Sequence, residues 1–442
     1  MPVESSNIHP IALVFTLAMG ILLFLLPRRA AIVPLLAGTL FVPLGQQILI
    51  LSLHFYMFRI LIAIGVLRVL FRAEHKTIKF NKIDGLVVAY GLANIIFALL
   101  RSPTMDMLVA WLGSTYNLFG FYFLMRVLIQ DSEDIRYALK TLAFFCIPIA
   151  MTMLVEFTTG RNLFSVFGGV PEYTAVRDGK LRCQGPFLHP ILAGDFAAAL
   201  IPLFLYLAWQ RIGPRKIGLL GVLMALIILG NTGSSGPLGA MIGGVFATAM
   251  WPLRKRMRLI RWGLLLSAVS LHIVMKAPVW ALLYRTKFYG SSSDYHRFNL
   301  LDQFIRRIDE WWFFGVQTTT HWGYSLFDVA NMFVRQGVDG GIVTLILFLA
   351  IIIYCFKGIG NSMAASAENM DHQHLCWALG ASLFAHIVAF ISVSYFDQVI
   401  VIWFMLLAVI STVSGMNTVP ISVNHSLDTL RDVDYNSNQL HA

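Results

Sequence analysis

Apolar residues dominate the chain between positions 11 and 415, in runs long enough to cross a bilayer, with the polar residues gathered between them. The runs lie near 11–26, 31–48, 54–71, 84–100, 107–127, 138–156, 190–208, 217–231, 236–252, 262–282, 338–356, 375–393 and 398–415, about thirteen in all. In hydrocarbon every backbone polar group must be satisfied within the segment, and a helix does that. The pattern therefore predicts an all-α polytopic membrane protein of about 12–13 transmembrane helices. The second run is the weakest, because Pro43, Gly45, Gln46 and Gln47 interrupt it. Residues 1–416 read as a single integral membrane domain, and 417–442 as a flexible polar tail.

Two gaps stand out by length: 157–189 and 283–337. The second has its own periodicity. Over 297–312, Leu301, Phe304, Ile305, Ile308 and Trp312 recur on one helix face, with Asp302, Gln303, Arg306, Asp309 and Glu310 largely opposite. A short amphipathic helix at the membrane interface is expected, anchored by Trp311 and Trp312.

Composition agrees with the pattern. Hydrophobic residues make up 57% and charged residues 13%, and the mean hydropathy of +0.72 lies outside the soluble range. A net charge of +10 would point to nucleic acid in a soluble chain. In a membrane protein it first sets orientation. Arg28/Arg29, Arg72/Lys76/Lys79/Lys82, Arg211/Arg215/Lys216 and Arg254/Lys255/Arg256/Arg258/Arg261 share one side if the spans alternate. That side should be cytoplasmic, with the tail; the N-terminus and both long loops should face outside. The first run ends in Pro27-Arg28-Arg29 rather than a cleavage site, so it is expected to stay as an anchor. Cys146, Cys355 and Cys376 lie in or beside spans, and Cys183 has no loop partner, which argues against a disulfide framework.

The external loops carry positive charge that orientation does not explain. Arg161, Arg177, Lys180 and Arg182 lie in the first, and Arg285, Lys287, Arg297, Arg306, Arg307 and Arg335 in the second. Guanidinium groups grip phosphate in a bidentate manner, so an anionic ligand is the natural reading. Arg306 stands four residues from both Asp302 and Glu310, so local pairing is the alternative to an anionic ligand there. Arg307, with Gln303 before it, is freer. Arg297, if helical, projects on the apolar face and needs a partner or a polar cavity; the alternative sets it before the helix, facing water. His296, His321 and Asp328 are candidate acids or bases, against the plainer reading of solvated loop residues.

The first loop closes with RCQGPFLHPILAGDF, where Gly185-Pro186 and His189-Pro190 force an extended entry into the next span. Arg182 is held just above that span. Asp195 falls about a turn inside it, where a carboxylate is costly unless an arginine such as Arg182 pairs with it. Between two later runs, NTGSSGP offers either a tight turn or, through Ser234 and Ser235, backbone amides for an anion. Phosphate-loop, HExxH and metal-spaced Cys/His patterns are missing, so no cofactor, nucleotide or metal site is expected.

Three segments taken together resemble the O-antigen ligase and O-antigen polymerase superfamily of bacterial envelopes: RCQGPFLHPILAG entering a span, TGSSGP between spans, and the long loop with YHR, EWWFFG and DVANMFV before GGIVTLILF. The resemblance covers most of the chain in topology. It implies a metal-independent glycosyltransferase of the inner membrane that uses a polyprenyl-pyrophosphate-linked glycan at the periplasmic face. A flippase and a chain-length regulator would be natural partners. It further implies that Arg297, Arg182 and Arg307, with His296, Asn331, Ser234 and Ser235, bind the pyrophosphate and glycan, and that a second-loop base activates the acceptor. Ligases of this group tend to carry His-Asn before the span that follows the long loop. Here Ala330-Asn331 stands there, which favours a polymerase of O-antigen or exopolysaccharide repeat units. The base is then Asp328, His321 or Glu310, in that order. Transfer to a lipid A core is the alternative within the enzyme class. A lipid-linked sugar transporter is the alternative outside it, although such proteins place charges along their spans.

Overall fold

The computed structural model describes residues 9–50, 53–177, 179–210, 214–282 and 292–416. Arg211, Arg285, Lys287 and the tail lie outside the described residues. The chain is helical, and each of the thirteen apolar runs contains a helix. Eight of the described helices are long and apolar enough to cross a membrane, so the chain is an all-α, multi-pass membrane protein.

In chain order the helices begin with α1 (Pro10–Leu25), α2 (Ile32–Phe41), α3 (Met57–Phe71), α4 (Lys82–Arg101), α5 (Met105–Leu128) and α6 (Ser132–Thr159). They continue with α7 (Pro190–Trp209), α8 (Arg215–Asn231), α9 (Ser235–Ala249) and α10 (Met257–Val274). The second loop holds α11 (Ser292–Arg306) and α12 (Ile308–Trp311), and the chain closes with α13 (Met332–Ala365), α14 (Met370–Phe390) and α15 (Val399–Met416). Two antiparallel hairpins, β1–β2 (Gln47–Ile50, Leu53–Tyr56) and β3–β4 (Ala175–Arg177, Lys180–Arg182), were not predicted by the hydrophobic pattern.

Helix α7 is the hub of the bundle, packed by α8, α9 and α14. Its buried run of Ala193, Gly194, Ala197, Ala198 and Ala199 explains why. Small side chains let neighbouring helices approach where hydrocarbon supplies no hydrophobic drive between them. At the other extreme, α10 buries none of its residues.

One face of the bundle collects ion pairs: Arg28 and Arg29 with Asp134, Arg68 with Glu74, Arg126 with Asp84, and Arg136 with Asp371. The opposite face carries the two long loops. In the first, Glu156 at the end of α6 is fully buried. It accepts from the amides of Gln184 (3.0 Å) and Gly185 (2.9 Å) and from the Thr174 hydroxyl (3.1 Å). The Cys183 amide donates to the Asn231 carbonyl at 3.0 Å, which lays β4 against the end of α8.

The second loop folds on a small core of its own, with Leu300, Phe304, Trp311, Trp322, Leu326, Val329, Val334 and Val338 buried together. This corrects the expected helix face. The backbone breaks at Arg307, so the single helix expected over 297–312 is α11 followed by α12. Trp311 is not an interfacial anchor: it stacks on Phe304 with ring centroids 3.9 Å apart, and its indole donates to the Phe304 carbonyl at 2.7 Å. Ile305, Ile308 and Trp312 are exposed. Helix α13 starts at Met332, earlier than the expected 338, and is broken by non-helical backbone at Gly340 and Gly341. The 312–316 segment seats in that break: the Ile342 amide donates to Trp312 (2.8 Å), and the Val316 amide donates to Val338 (2.9 Å).

Candidate functional site

The start of α9 is where the two loops and the bundle meet. Ser234 precedes the helix, but its hydroxyl makes no capping bond to it. Instead it donates to the Thr232 carbonyl (3.1 Å) and accepts from Arg182 Nη2 (2.7 Å). The anchoring of β4 by Cys183 makes this possible, because it sets Arg182 beside the α8–α9 turn. Arg297 arrives from α11 on the other side. A side-chain carbon at Gly236 would stand 2.5 Å from Ser392 Oγ, so glycine lets Ser392 approach the first turn of α9, and the Arg297 guanidinium would stand 3.6 Å from the same point, which places it at that turn. A helix N-terminus carries partial positive charge and inward-facing amides. Two arginines beside it make a strongly anion-seeking corner.

His189, Asp328 and His296 complete the corner. The His189 ring caps α7, its Nδ1 accepting from the Ile191 amide at 3.2 Å. With Nδ1 accepting, the neutral ring carries its hydrogen on Nε2 and presents a donor outward. Burial, with Arg182 and Arg177 beside it, lowers the proton affinity of His189, while Asp328 acts in the opposite sense. The imidazole is therefore neutral near pH 7. His296 Nε2 lies 3.1 Å from the Asp328 carbonyl oxygen, which fixes the DVAN segment over α11. Asp397, on the α14–α15 connection, accepts from the Leu188 amide at 2.8 Å and so braces the His189-Pro190 entry. Burial pushes its carboxyl up to about 7.

Beneath this corner α7 carries Asp195, fully buried, with neither carboxylate oxygen hydrogen-bonded. The expected hydrogen bond with Arg182 is not made. Beside the corner lies a mostly apolar cleft of about 440 Å³, lined by Val279, Trp280, Leu282, Leu301, Asn331, Phe333 and Ile391.

Of the residues singled out from sequence, Arg182, Ser234, Ser235, Arg297, His296 and Asp328 gather around the start of α9. Asn331 borders the cleft. Its side chain caps α13 through the Phe333 and Val334 amides and donates to the Ile391 carbonyl at 3.2 Å. Arg307, Glu310 and His321 form a separate cluster at the far end of the loop. Glu310 Oε2 accepts from His321 (2.7 Å) and the Trp322 indole (2.8 Å), and Oε1 accepts from Arg307 (2.7 Å). Arg307 also donates to Gln303 at 3.0 Å, so it is engaged rather than freer than its neighbour. Arg306 pairs with Asp302 at 2.7 Å, as its spacing required, while its other neighbour Glu310 is taken by Arg307. Along α11, Arg306 stands about 14 Å beyond Arg297 at 1.5 Å per residue, which separates the two clusters. His189 is the site residue that sequence reasoning passed over; it read only as part of a Pro turn. No protein-family model matches the chain, and no curated protein matches it.

Proposed function

We propose that the corner at the start of α9 binds the pyrophosphate of a polyprenyl-linked oligosaccharide, and that the chain polymerises such repeat units by metal-independent glycosyl transfer. The observation that carries this reading is the convergence of Arg182 and Arg297, from two separate loops, on one helix N-terminus. Arginines of this kind suit a diphosphate leaving group better than a neutral sugar. The apolar cleft beside them suits the first isoprene units of the carrier. The membrane is then a bacterial inner membrane, with the loop face periplasmic and about 12–13 helices crossing.

In the reaction, the bond between the anomeric carbon and the pyrophosphate oxygen breaks as the acceptor hydroxyl attacks that carbon. Arg182, Arg297 and the α9 amides stabilise the charge that grows on the departing pyrophosphate. Asp328 takes the proton of the acceptor hydroxyl. Neutral His189, with its Nε2 hydrogen outward, donates to phosphate or to the Asp328 carboxylate. His321 and Glu310, bound to each other, hold the far end of the loop in shape.

Arg182→Ala and Arg297→Ala test this in cells whose surface polysaccharide depends on the protein. Each variant should insert at normal levels and leave single, unpolymerised repeat units. Normal chain length in either variant removes that arginine from the site. Loss of capping onto lipid A core with polymer intact would support the ligase alternative.

A further inference from the structure

On the face opposite the long loops, three helix ends bring a row of rings together. Trp209 closes α7, Trp251 follows α9, and His374 lies near the start of α14. His374 stacks on Trp209 with centroids 5.8 Å apart and lies 4.4 Å from Trp251, whose other neighbour is Trp377 at 5.8 Å. The Trp377 indole donates to the Ala247 carbonyl at 3.0 Å, which ties the row to the end of α9. Arg254 lies over the Trp251 ring, its guanidinium carbon 4.1 Å from the centroid, and donates to the Trp251 carbonyl at 3.4 Å. A guanidinium seated this way is held in place before any ligand arrives. It opens a run of five cations, Arg254, Lys255, Arg256, Arg258 and Arg261, with no acidic residue between them. Among the described residues none of the five pairs with a carboxylate. Asp371, the acid nearest to His374 in the chain, is taken by Arg136 and by Gln210 (3.0 Å).

The run leads straight into α10, which buries none of its residues. Leu259, Leu264, Leu266, Ile273 and Val274 are all more than half exposed. Trp262 is exposed one turn beyond Arg258, as an indole at the level of lipid head groups would be. Positive charge on this face orients the chain. Orientation needs only the charge; it does not need a guanidinium fixed on an aromatic row at the foot of a bare apolar helix. We propose that residues 251–266 bind an anionic phospholipid of the leaflet on this face. Arg254 and the cations after it hold the phosphate, and the acyl chains lie along α10. Charge complementarity selects the head group, and the exposed leucines select a lipid over a free phosphate. The lipid fastens a helix whose main contacts are with the turns at its own two ends. The far end of α10 bears on the cleft: His272 stacks on Trp280, a cleft-lining residue, with centroids 5.5 Å apart. Bound anionic lipid therefore steadies one wall of the cleft. The inference does not depend on what the loop face binds.

The test uses the full chain in native mass spectrometry, titrated with dioleoylphosphatidylglycerol or dioleoylphosphatidylcholine. Phosphatidylglycerol should bind about tenfold more tightly, and R254Q/R258Q should lose roughly tenfold of that affinity, in line with what two cations near a lipid surface supply. K76Q/K79Q removes the same charge from another connection on this face, where both lysines are exposed, and should bind as wild type does. Equal binding of the two lipids, or an equal loss in K76Q/K79Q, overturns the site and leaves only delocalised surface charge. Millimolar inorganic phosphate should not displace the lipid; displacement would make this a free-phosphate site and overturn the proposal. If R254Q/R258Q fails to insert, hydrogen exchange on the wild type decides. Nanodiscs containing phosphatidylglycerol should protect 251–266 relative to nanodiscs of phosphatidylcholine alone and leave 74–82 unchanged. Identical protection at 251–266 in both, or an equal gain at 74–82, overturns the proposal.

Discussion

Replacing Gly315 by alanine should unfasten the second loop from the helix beneath it. Gly315 has φ of +80°, and a β-carbon there would stand 2.2 Å from the Val338 carbonyl oxygen. That oxygen already accepts from the Val316 amide at 2.9 Å and from Arg101 at 2.8 Å. The clash is with backbone, so the 312–316 segment must lift away from the break in α13. Left-handed backbone costs alanine about 1 kcal/mol. Losing the two hydrogen bonds around Val338 costs roughly 1 kcal/mol each. The sum, about 3 kcal/mol, shifts the docked-to-undocked equilibrium of the loop by roughly a hundredfold. Hydrogen exchange in nanodiscs reads this directly. Protection should fall across 295–331 and stay unchanged in the buried helix α7. Because Arg297 rides on this loop, polymer synthesis should fall with it. Native protection in the loop of Gly315→Ala would refute the seating of 312–316 in the helix break.

Arg306→Ala should cost little activity, since Arg306 is largely exposed and its partner Asp302 lies on the same helix and keeps the Trp280 indole as a donor; loss of polymer comparable to Arg297→Ala would overturn the division into two clusters. Asp328→Asn should abolish turnover while leaving binding of the lipid-linked donor intact, and unchanged turnover would move the base elsewhere. Glu310 gives a pH dependence. Desolvation opposes its ionisation, but the donors His321, Trp322 and Arg307 outweigh it and hold the carboxyl at about 2, below its ordinary 4.5. Its contribution to loop order is thus complete above about pH 4.5 and lost as pH falls toward 2. Loop exchange protection should drop over that window in wild type and show no such step in Glu310→Gln. Asn331→Ala should destabilise the start of α13 by about 1 kcal/mol through the lost cap, read as faster exchange at Phe333 and Val334.

The helices were legible in the sequence because burial in lipid demands a long apolar run, and a run needs no tertiary knowledge to see. Boundaries were less legible where tertiary contacts compete with pattern. The start of α13 was hidden because Val334 and Val338 belong to the small core of the second loop, before the glycine break, rather than to the span. The face of α11 was misjudged for a related reason. A continuous wheel sets Ile308 and Trp312 on one face with Leu301 and Phe304, but the break at Arg307 turns Trp311 inward onto Phe304 and leaves Trp312 outside. The two hairpins are too short for periodicity to register. At the site, the arginines were visible as charge without an orientation role, and Arg306 was visible as half of an i,i+4 pair. Arg307 was not, because Glu310 was also within i,i+4 reach of Arg306, which pairs with Asp302 instead and leaves Glu310 to Arg307. His189 was masked by its own proline, which explained the residue as turn chemistry; a His at the mouth of a span beside an arginine-rich loop was the signal available.

The most direct test of the central claim is turnover of a polyprenyl-pyrophosphate-linked repeat unit by the purified protein in lipid, without metal or nucleotide. Longer lipid-linked glycan, lost in Arg297→Ala, is the predicted result. No covalent product, with the glycan instead moved between leaflets, would contradict it and make the chain a transporter.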